Sequence, residues 1–365
     1  MDIKKIDKNF LANEENSGGL KYYDIPCDPF DLYGVYYEKQ TNRFVRLPSE
    51  IADTVSDGVR YLNSNTAGGR VRFSTNSERI SVKVKYQALT AASHFSVLGG
   101  SGFVLLEERG DKTVFVFSYM PNYHGNDKEN KTDNGYSVTK KVNDGAMRNY
   151  ILYFPNYNDV SSLSIGLDEF AAVGHGKKYR DIKPVLYYGS SITQGACASR
   201  ADNDYPAYIS KWSNVDFYNF GFSGWAFAEE KLIKHLATID CSIFVCDYDF
   251  NAPDPDFLEK THYNLYKIYR AIRKDTPIVF ISNPDTDENY MRAKERVKIV
   301  RKTYETAVGE GDKNVYFIDG KELYGKNDRE NCTVDAVHPN DLGFYKMAKR
   351  VYKTLKPLIE KTDKK

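Results

Sequence analysis

The sequence has no surplus of charge of either sign, no long apolar run and no paired cysteines. Each absence removes a class of function. A formal net charge of +1 across 365 residues, without a long basic block, provides no field to draw in nucleic acid or an acidic membrane surface. No stretch approaches the ~20 apolar residues that cross a bilayer. The opening Met-Asp-Ile-Lys-Lys-Ile-Asp-Lys lacks the apolar centre of a signal peptide, so a cytoplasmic location is expected. The five cysteines, Cys27, Cys197, Cys241, Cys246 and Cys332, are scattered and odd in number. None forms a Cys-x-x-Cys pair, which argues against a disulfide framework and against a zinc motif. Cys246, inside the apolar run Ile243 to Cys246, reads as a small core residue. There is no internal repeat and no low-complexity tract.

What is present is aromatic and strand-rich. A hydrophobic content of 41% supports ordinary cores, and the length suits two domains. The 29 tyrosines and 20 phenylalanines fit either strand packing or a surface that holds sugar or peptide. Residues 1–20 are polar and read as a flexible lead-in. Residues 21–178 read as a β-sandwich of jelly-roll type, from short strands separated by turn signals. Arg70 to Phe73 and Ile80 to Val84 alternate about a turn at Thr75 to Ser77. Ser101 to Glu107 and Lys112 to Tyr119 look like hairpin arms, and Arg148 to Pro155 with Ser161 to Leu167 look like a further pair. Leu47 to Leu62 is the helix expected in this half, and Asn122 to Asn134 is a polar loop.

After a charged connector from Gly174 to Lys183 the pattern changes, and residues 182–365 alternate strand and helix. Strands are expected at Val185–Tyr188, Val215–Asn219, Ser242–Tyr248, Pro277–Ser282 and Val315–Asp319. Helices are expected over Pro206–Trp212, Glu229–Ala237, Asp256–Lys274, Tyr290–Glu310 and Leu342–Ile359. That is a five-stranded, doubly wound parallel sheet, whose carboxyl edge is where such folds bind ligands.

Four stretches fall at that edge. Val185-Leu-Tyr-Tyr-Gly-Ser-Ser-Ile-Thr-Gln-Gly195 ends a buried strand in two serines. Ser191, next to the Ile-Thr that starts the turn, is favoured over Ser190 as a nucleophile; a plain helix cap is the simpler reading of the pair. Asn219-Phe-Gly-Phe-Ser-Gly224 offers an unobstructed backbone N–H at Gly224, or only a tight turn. Asp247-Tyr-Asp-Phe-Asn251-Ala-Pro offers a side-chain amide for an oxyanion, or only an Asx turn. Asp335-Ala-Val-His338-Pro-Asn spaces a carboxylate three residues before an imidazole, so that one turn can set them side by side as base and orienting acid. Among the six histidines only His338 has both an acid three residues before it and a proline directly after, in a loop between strand and helix. His94 and His235 look like strand or helix-surface residues, and His124, His175 and His262 have no evident partner.

Ser, Gly, Asn and His in this order resemble the four blocks of the SGNH/GDSL hydrolase superfamily. The match runs from about Lys183 to Lys365. The details of Gly-Ser-Ser-Ile-Thr-Gln-Gly-Ala-Cys-Ala-Ser-Arg and Asp-Tyr-Asp-Phe-Asn-Ala-Pro are closer to a bacterial subgroup with an N-terminal β-sandwich. The resemblance implies that Ser191 is the nucleophile, His338 the general base and Asp335 its partner. It also implies that the Ser191 and Gly224 N–H groups and the Asn251 amide form the oxyanion hole. Two departures stand out: Gly189-Ser190-Ser191 replaces the usual Gly-Asp-Ser, and Asp249-Phe250-Asn251-Ala252 replaces Gly-x-Asn-Asp. A third lies in the first half, where Gly102 to Leu106 reads Gly-Phe-Val-Leu-Leu in place of the subgroup's Gly-x-Asp-Leu-Tyr.

The subgroup implies hydrolysis of short acyl esters, acetyl first, on small molecules or oligosaccharides. No cofactor or metal is needed, and no nucleic-acid or membrane partner is expected. Trp225 and Tyr205 are candidate walls for the acyl group or sugar, with Trp225 equally readable as core. Two other readings compete. A lipase or phospholipase would need an apolar lid or an exposed amphipathic stretch, which is not evident. A non-catalytic carbohydrate-binding protein would need one of the four positions to be broken, and all four are intact.

Overall fold

The computed structural model describes residues 18–87, 89, 92–121, 134–284 and 289–363. The expected lead-in and the loop Asn122 to Asn134 therefore lie almost wholly outside the described residues. Among the described residues the first half of the chain forms two large antiparallel sheets and a small two-stranded one, Tyr36–Glu38 with Arg43–Val45. One has four strands in the order Leu20–Ile25, Val160–Asp168, Arg79–Tyr86, Gly135–Lys141. The other runs Val173–His175, Arg70–Thr75, Arg148–Tyr153, Phe103–Arg109, Lys112–Tyr119, with Asp31–Tyr33 also pairing with Arg70–Thr75. Their facing side chains, among them Phe73, Val82, Leu105, Tyr150 and Ile165, form one buried core. Phe103–Arg109 and Lys112–Tyr119 are the expected hairpin.

Two other pairings differ from expectation. Arg70–Thr75 and Arg79–Tyr86 lie in opposite sheets, as do Arg148–Tyr153 and Val160–Asp168. The chain crosses the sandwich at those turns, and strand periodicity alone cannot distinguish a crossing from a hairpin. The helix expected over Leu47 to Leu62 is two short ones, Ser49–Ala52 and Asp57–Leu62. The second starts afresh because the Ser56 side chain accepts from the Val59 N–H.

The second half holds the parallel sheet, in the order Phe217–Gly221, Val185–Gly189, Ile243–Asp247, Ile278–Ile281, Val315–Ile318. The strand first in sequence lies second in the sheet. The crevice between it and Ile243–Asp247 is therefore a topological switch point, open at the strands' carboxyl ends. Helices cover both faces. Tyr205–Ser213 and Asp341–Thr362 bury Ile209, Phe344, Met347 and Val351 on one side. Glu230–Thr238, Pro255–Ile272 and Ala293–Gly309 bury Leu232, Leu258, Tyr269 and Val300 on the other.

The two halves share a core. Val104, Leu106, Ile151 and Tyr153 point out of the sandwich and join Tyr187, Tyr205 and Phe217. With both faces buried, Phe103 to Leu106 is continuously apolar, and the Asp-Leu-Tyr run expected there stands instead at Asp31–Tyr33. Buried arginines complete the junction. Arg46 donates to the carbonyls of Leu62 (2.6 Å), Asn219 (3.1 Å) and Gly221, and lies over the Phe222 ring. Arg70 pairs with Asp216, donates to the Phe217 carbonyl (3.2 Å) and lies over its ring. Among the described residues no helix is long and apolar enough to cross a membrane.

Candidate active site

The strand Val185–Gly189 runs straight into the helical turn Ser191–Gln194. Gly189 is required there, because a Cβ at that position would overlap the Asp247 carboxylate on the neighbouring strand. The two serines divide the work. Ser190 Oγ accepts from the Ile192 N–H (3.2 Å) and caps the turn. Ser191 Oγ instead lies 2.9 Å from His338 Nε2. The Ser191 N–H stands at the start of the helical turn, where backbone donors have no intrahelical acceptor.

His338 comes from a tight loop closed by a bridge between Thr333 and Pro339 and by the Val334 N–H on the His338 carbonyl (3.0 Å). Ala336 sits in the left-handed region at φ 67°, and this folds Asp335 back onto His338. Asp335 Oδ1 accepts the N–H groups of Val337 (3.1 Å) and His338 (2.7 Å), while Oδ2 lies 2.7 Å from His338 Nδ1. Partial burial works to raise the Asp335 pKa, but the His338 backbone and imidazole bonds outweigh it and hold the carboxyl below its ordinary range. An ionised carboxylate only accepts, so the ring proton is on Nδ1 and Nε2 is free to take one.

The two expected amide donors are both unoccupied. Asn251 Oδ1 accepts from the Ala226 N–H (3.2 Å), which leaves its Nδ2 without a partner among the described residues. Arg296 holds this turn from beneath, donating to the carbonyls of Asp249 (2.5 Å) and Ala252 (2.9 Å). Gly224 is exposed at φ 72°. The N–H groups on either side of it are engaged, Ser223 with Gln194 Oε1 (3.0 Å) and Trp225 with the Phe222 carbonyl (2.8 Å), while its own has no acceptor among the described residues.

Beneath the turn, the buried Asp247 carboxylate accepts from Thr193 Oγ1 and from the Tyr205 hydroxyl (3.2 Å). Burial pushes its pKa up to about 8, against the bonds from Thr193 and Tyr205. Tyr205 is thus not a substrate wall. It is completely buried in the shared core, with its hydroxyl committed to Asp247. Trp225 is 42% exposed, so it is not core. One face of its ring packs on Gly58, where any Cβ would collide with it.

Sequence reasoning missed several neighbours. His94 is exposed on a turn, and its ring lies 5.6 Å from that of His338. Phe95 packs on Tyr157 at 4.5 Å, and the Tyr157 hydroxyl reaches the Ser191 carbonyl (3.4 Å). These residues belong to the other half of the chain, so no local spacing could have linked them to His338. Of the remaining histidines, His262 is core, stacked on Tyr248, and His124 lies outside the described residues. A cavity of about 360 Å³ bordered by Glu108, Tyr179, Lys211 and Asn214 lies at the junction of the halves, and none of the four stretches lines it.

Residues 182–356 match the family model of GDSL-like lipases/acylhydrolases, and residues 20–173 match that of the N-terminus of SGNH_hydro-type esterases. The chain belongs to the GDSL/SGNH acylhydrolases. As a member of that family it is a carboxylic ester hydrolase. No curated protein matches it in sequence. A structure described as a GDSL-like lipase from Bacteroides ovatus ATCC 8483 is 27% identical with a TM-score of 0.81, over 93% of this chain and 98% of that one. The salicylyl-acyltransferase SsfX3 of a tetracycline biosynthetic pathway shares the fold at 14% identity and TM-score 0.75, over 93% and 98%. So does an acetyl xylan esterase from Butyrivibrio proteoclasticus, at 13% and 0.59, over 93% and 99%. The acylhydrolase thus carries both its sandwich and its parallel sheet in a shared two-part architecture.

Proposed function

We propose that this acylhydrolase removes short acyl groups, acetyl above all, from carbohydrate through a Ser191-His338-Asp335 acyl-enzyme mechanism. The observation that carries the reading is the hydrogen-bonded series Ser191 Oγ, His338 Nε2 (2.9 Å) and His338 Nδ1, Asp335 Oδ2 (2.7 Å). Ser191 Oγ attacks the ester carbonyl and its proton passes to His338 Nε2. The negative charge that develops on the carbonyl oxygen falls to the Ser191 and Gly224 N–H groups and the Asn251 amide. His338 then protonates the leaving sugar oxygen. Water, deprotonated by the same imidazole, attacks the acyl-serine and releases the carboxylic acid. Asp335 stays ionised and stabilises the imidazolium.

Support for a sugar comes from Trp225, an exposed ring held on one face by Gly58 and 5.7 Å from Phe227, which suits stacking on a pyranose. Support for acetyl comes from a protein of the same fold being named an acetyl xylan esterase. On this reading residues 21–178 and 182–365 are two domains, and the second carries every reacting group. The test is hydrolysis of p-nitrophenyl esters of increasing acyl length, followed by acetylated xylo- and cello-oligosaccharides. Turnover should be fastest for acetate and fall by about 10⁴-fold or more in Ser191→Ala. Equal rates in the two proteins overturn the nucleophile, and a preference for long acyl chains overturns the acetyl reading.

A further inference from the structure

Three soft or borderline metal ligands meet at the proposed base, although no two of them are near in sequence. His94 comes from the sandwich half, Cys197 follows the turn that bears Ser191, and His338 comes from the last loop. One ligand atom from each, an imidazole nitrogen or the thiol sulfur, lies within 4.8 Å of the others. A tetrahedral zinc with bonds of about 2.0–2.3 Å needs its ligand atoms about 3.5 Å apart. His94 is exposed, and a change of its side-chain rotamer is of the size needed to close the gap.

Neither the His94 nitrogens nor Cys197 Sγ has a hydrogen-bond partner among the described residues, so a metal would displace nothing from them. Cys197 also holds left-handed backbone at φ 66°, an unfavourable conformation for a residue with a Cβ. The third ligand is already prepared. Asp335 grips His338 Nδ1 and leaves Nε2, 2.9 Å from Ser191 Oγ, as the ligating nitrogen, which is the carboxylate–histidine arrangement that orients imidazoles on zinc.

We infer that His94, Cys197 and His338 form an inhibitory zinc site, in which Zn²⁺ occupies the nitrogen that would otherwise take the proton of Ser191. Two neutral imidazoles and one thiolate select Zn²⁺ over Mg²⁺ or Ca²⁺. On binding, the ion takes a lone pair from each imidazole and from the thiolate, and the thiol proton passes to solvent. The fourth position is left to water or to Ser191 Oγ. With Nε2 bonded to the metal, Ser191 has no base and hydrolysis stops until the ion is chelated. The inhibition rests on the esterase reading, whereas the site itself does not.

Cobalt(II) separates the two. Titrated into the full chain, it should give a one-to-one complex with tetrahedral d–d bands and a thiolate-to-cobalt charge-transfer band. Ser191→Ala should keep that spectrum. Cys197→Ser should lose the charge-transfer band while the other four cysteines remain. His94→Ala, a change at an exposed side chain, should bind about 100-fold more weakly or worse, since loss of even an outer partner costs about 10–100-fold. Circular dichroism confirms that each variant is folded. In metal-buffered assays Zn²⁺ should abolish hydrolysis of p-nitrophenyl acetate, and a chelator should restore it. A folded Cys197→Ser protein with an unchanged charge-transfer band overturns the site, and so does unweakened binding by His94→Ala. Full activity at saturating Zn²⁺ overturns the inhibition. An apo-protein that hydrolyses no ester overturns the esterase reading alone, because the cobalt spectra do not depend on turnover.

Discussion

Asp335 serves the site with both oxygens. Oδ1 closes the turn by accepting two backbone N–H groups, and Oδ2 fixes the tautomer of His338. In Asp335→Asn the amide can still close the turn or face the ring, but it carries no charge to stabilise the imidazolium. The expected outcome is a fall in kcat of about 10²–10⁴-fold with KM little changed, read from steady-state kinetics on p-nitrophenyl acetate. Because the folded carboxyl is held below its ordinary value of 3.8, its contribution to folding is complete above that value and is lost as the pH falls through its folded pKa. Asn251 is tested in the same way. Its amide hydrogens are free, and Asn251→Ala should cost about 10²–10³-fold in kcat, again with little change in KM. The Asp335–His338 contact and the loop position of Asn251 were legible in the sequence, because three-residue spacing and placement after a strand are local properties. His94 and Arg296 were not, because each acts on a loop far away in the chain.

The strand-turn element that delivers Ser191 is pinned by a buried acid. The Gly-Asp-Ser of the wider superfamily reads Gly189-Ser190-Ser191 here, and Asp247 supplies a carboxyl under the turn from the adjacent strand. Burial raises its pKa to about 8 from an ordinary 3.8. The folded protein therefore binds a proton between those values that the unfolded chain does not, and stability falls as the pH rises from 3.8 through about 8. The fall is on the order of a few kcal/mol. Asp247→Asn should flatten this part of the stability profile, as checked by urea unfolding of both proteins at several pH values. The parallel-sheet elements were legible to within a few residues, because each strand is a buried apolar run followed by a helix. In the sandwich the hairpin Phe103–Arg109 with Lys112–Tyr119 was legible, whereas the other two expected pairings were not, because alternation reports which face is buried and says nothing about which strand lies alongside.

The two halves of the molecule meet where the site is built. Arg46, from the sandwich half, holds the carbonyls of Asn219 and Gly221 just before the loop that presents Gly224. Arg46→Met fills the space but leaves three buried carbonyls without their donor, at about 1–3 kcal/mol each before relaxation. A net loss of roughly 3–5 kcal/mol in urea unfolding is expected, with reduced kcat as the Gly224 loop loses its anchor. Gly58 tests the same junction where it packs on Trp225, the proposed sugar platform. Gly58→Ala should push Trp225 out of place and raise KM for acetylated oligosaccharides several-fold, while p-nitrophenyl acetate, which has no sugar to stack, is turned over as before.

By itself the sequence determined the class of the fold, the order of strand and helix in its second half, and the identity of Ser191, Gly224, Asn251, Asp335 and His338 as chemically apt residues at loop positions. These follow from local patterning, since hydrophobic period, turn chemistry and three-residue spacing are written along the chain. The tertiary structure alone decided that Ser190 caps while Ser191 faces His338. It also decided that Tyr205 is core and Trp225 is surface, and that His94 and Cys197 gather around the same imidazole. Those outcomes depend on which distant segments are pressed together when both faces of the Phe103–Arg109 sheet are buried, and no local pattern encodes that choice.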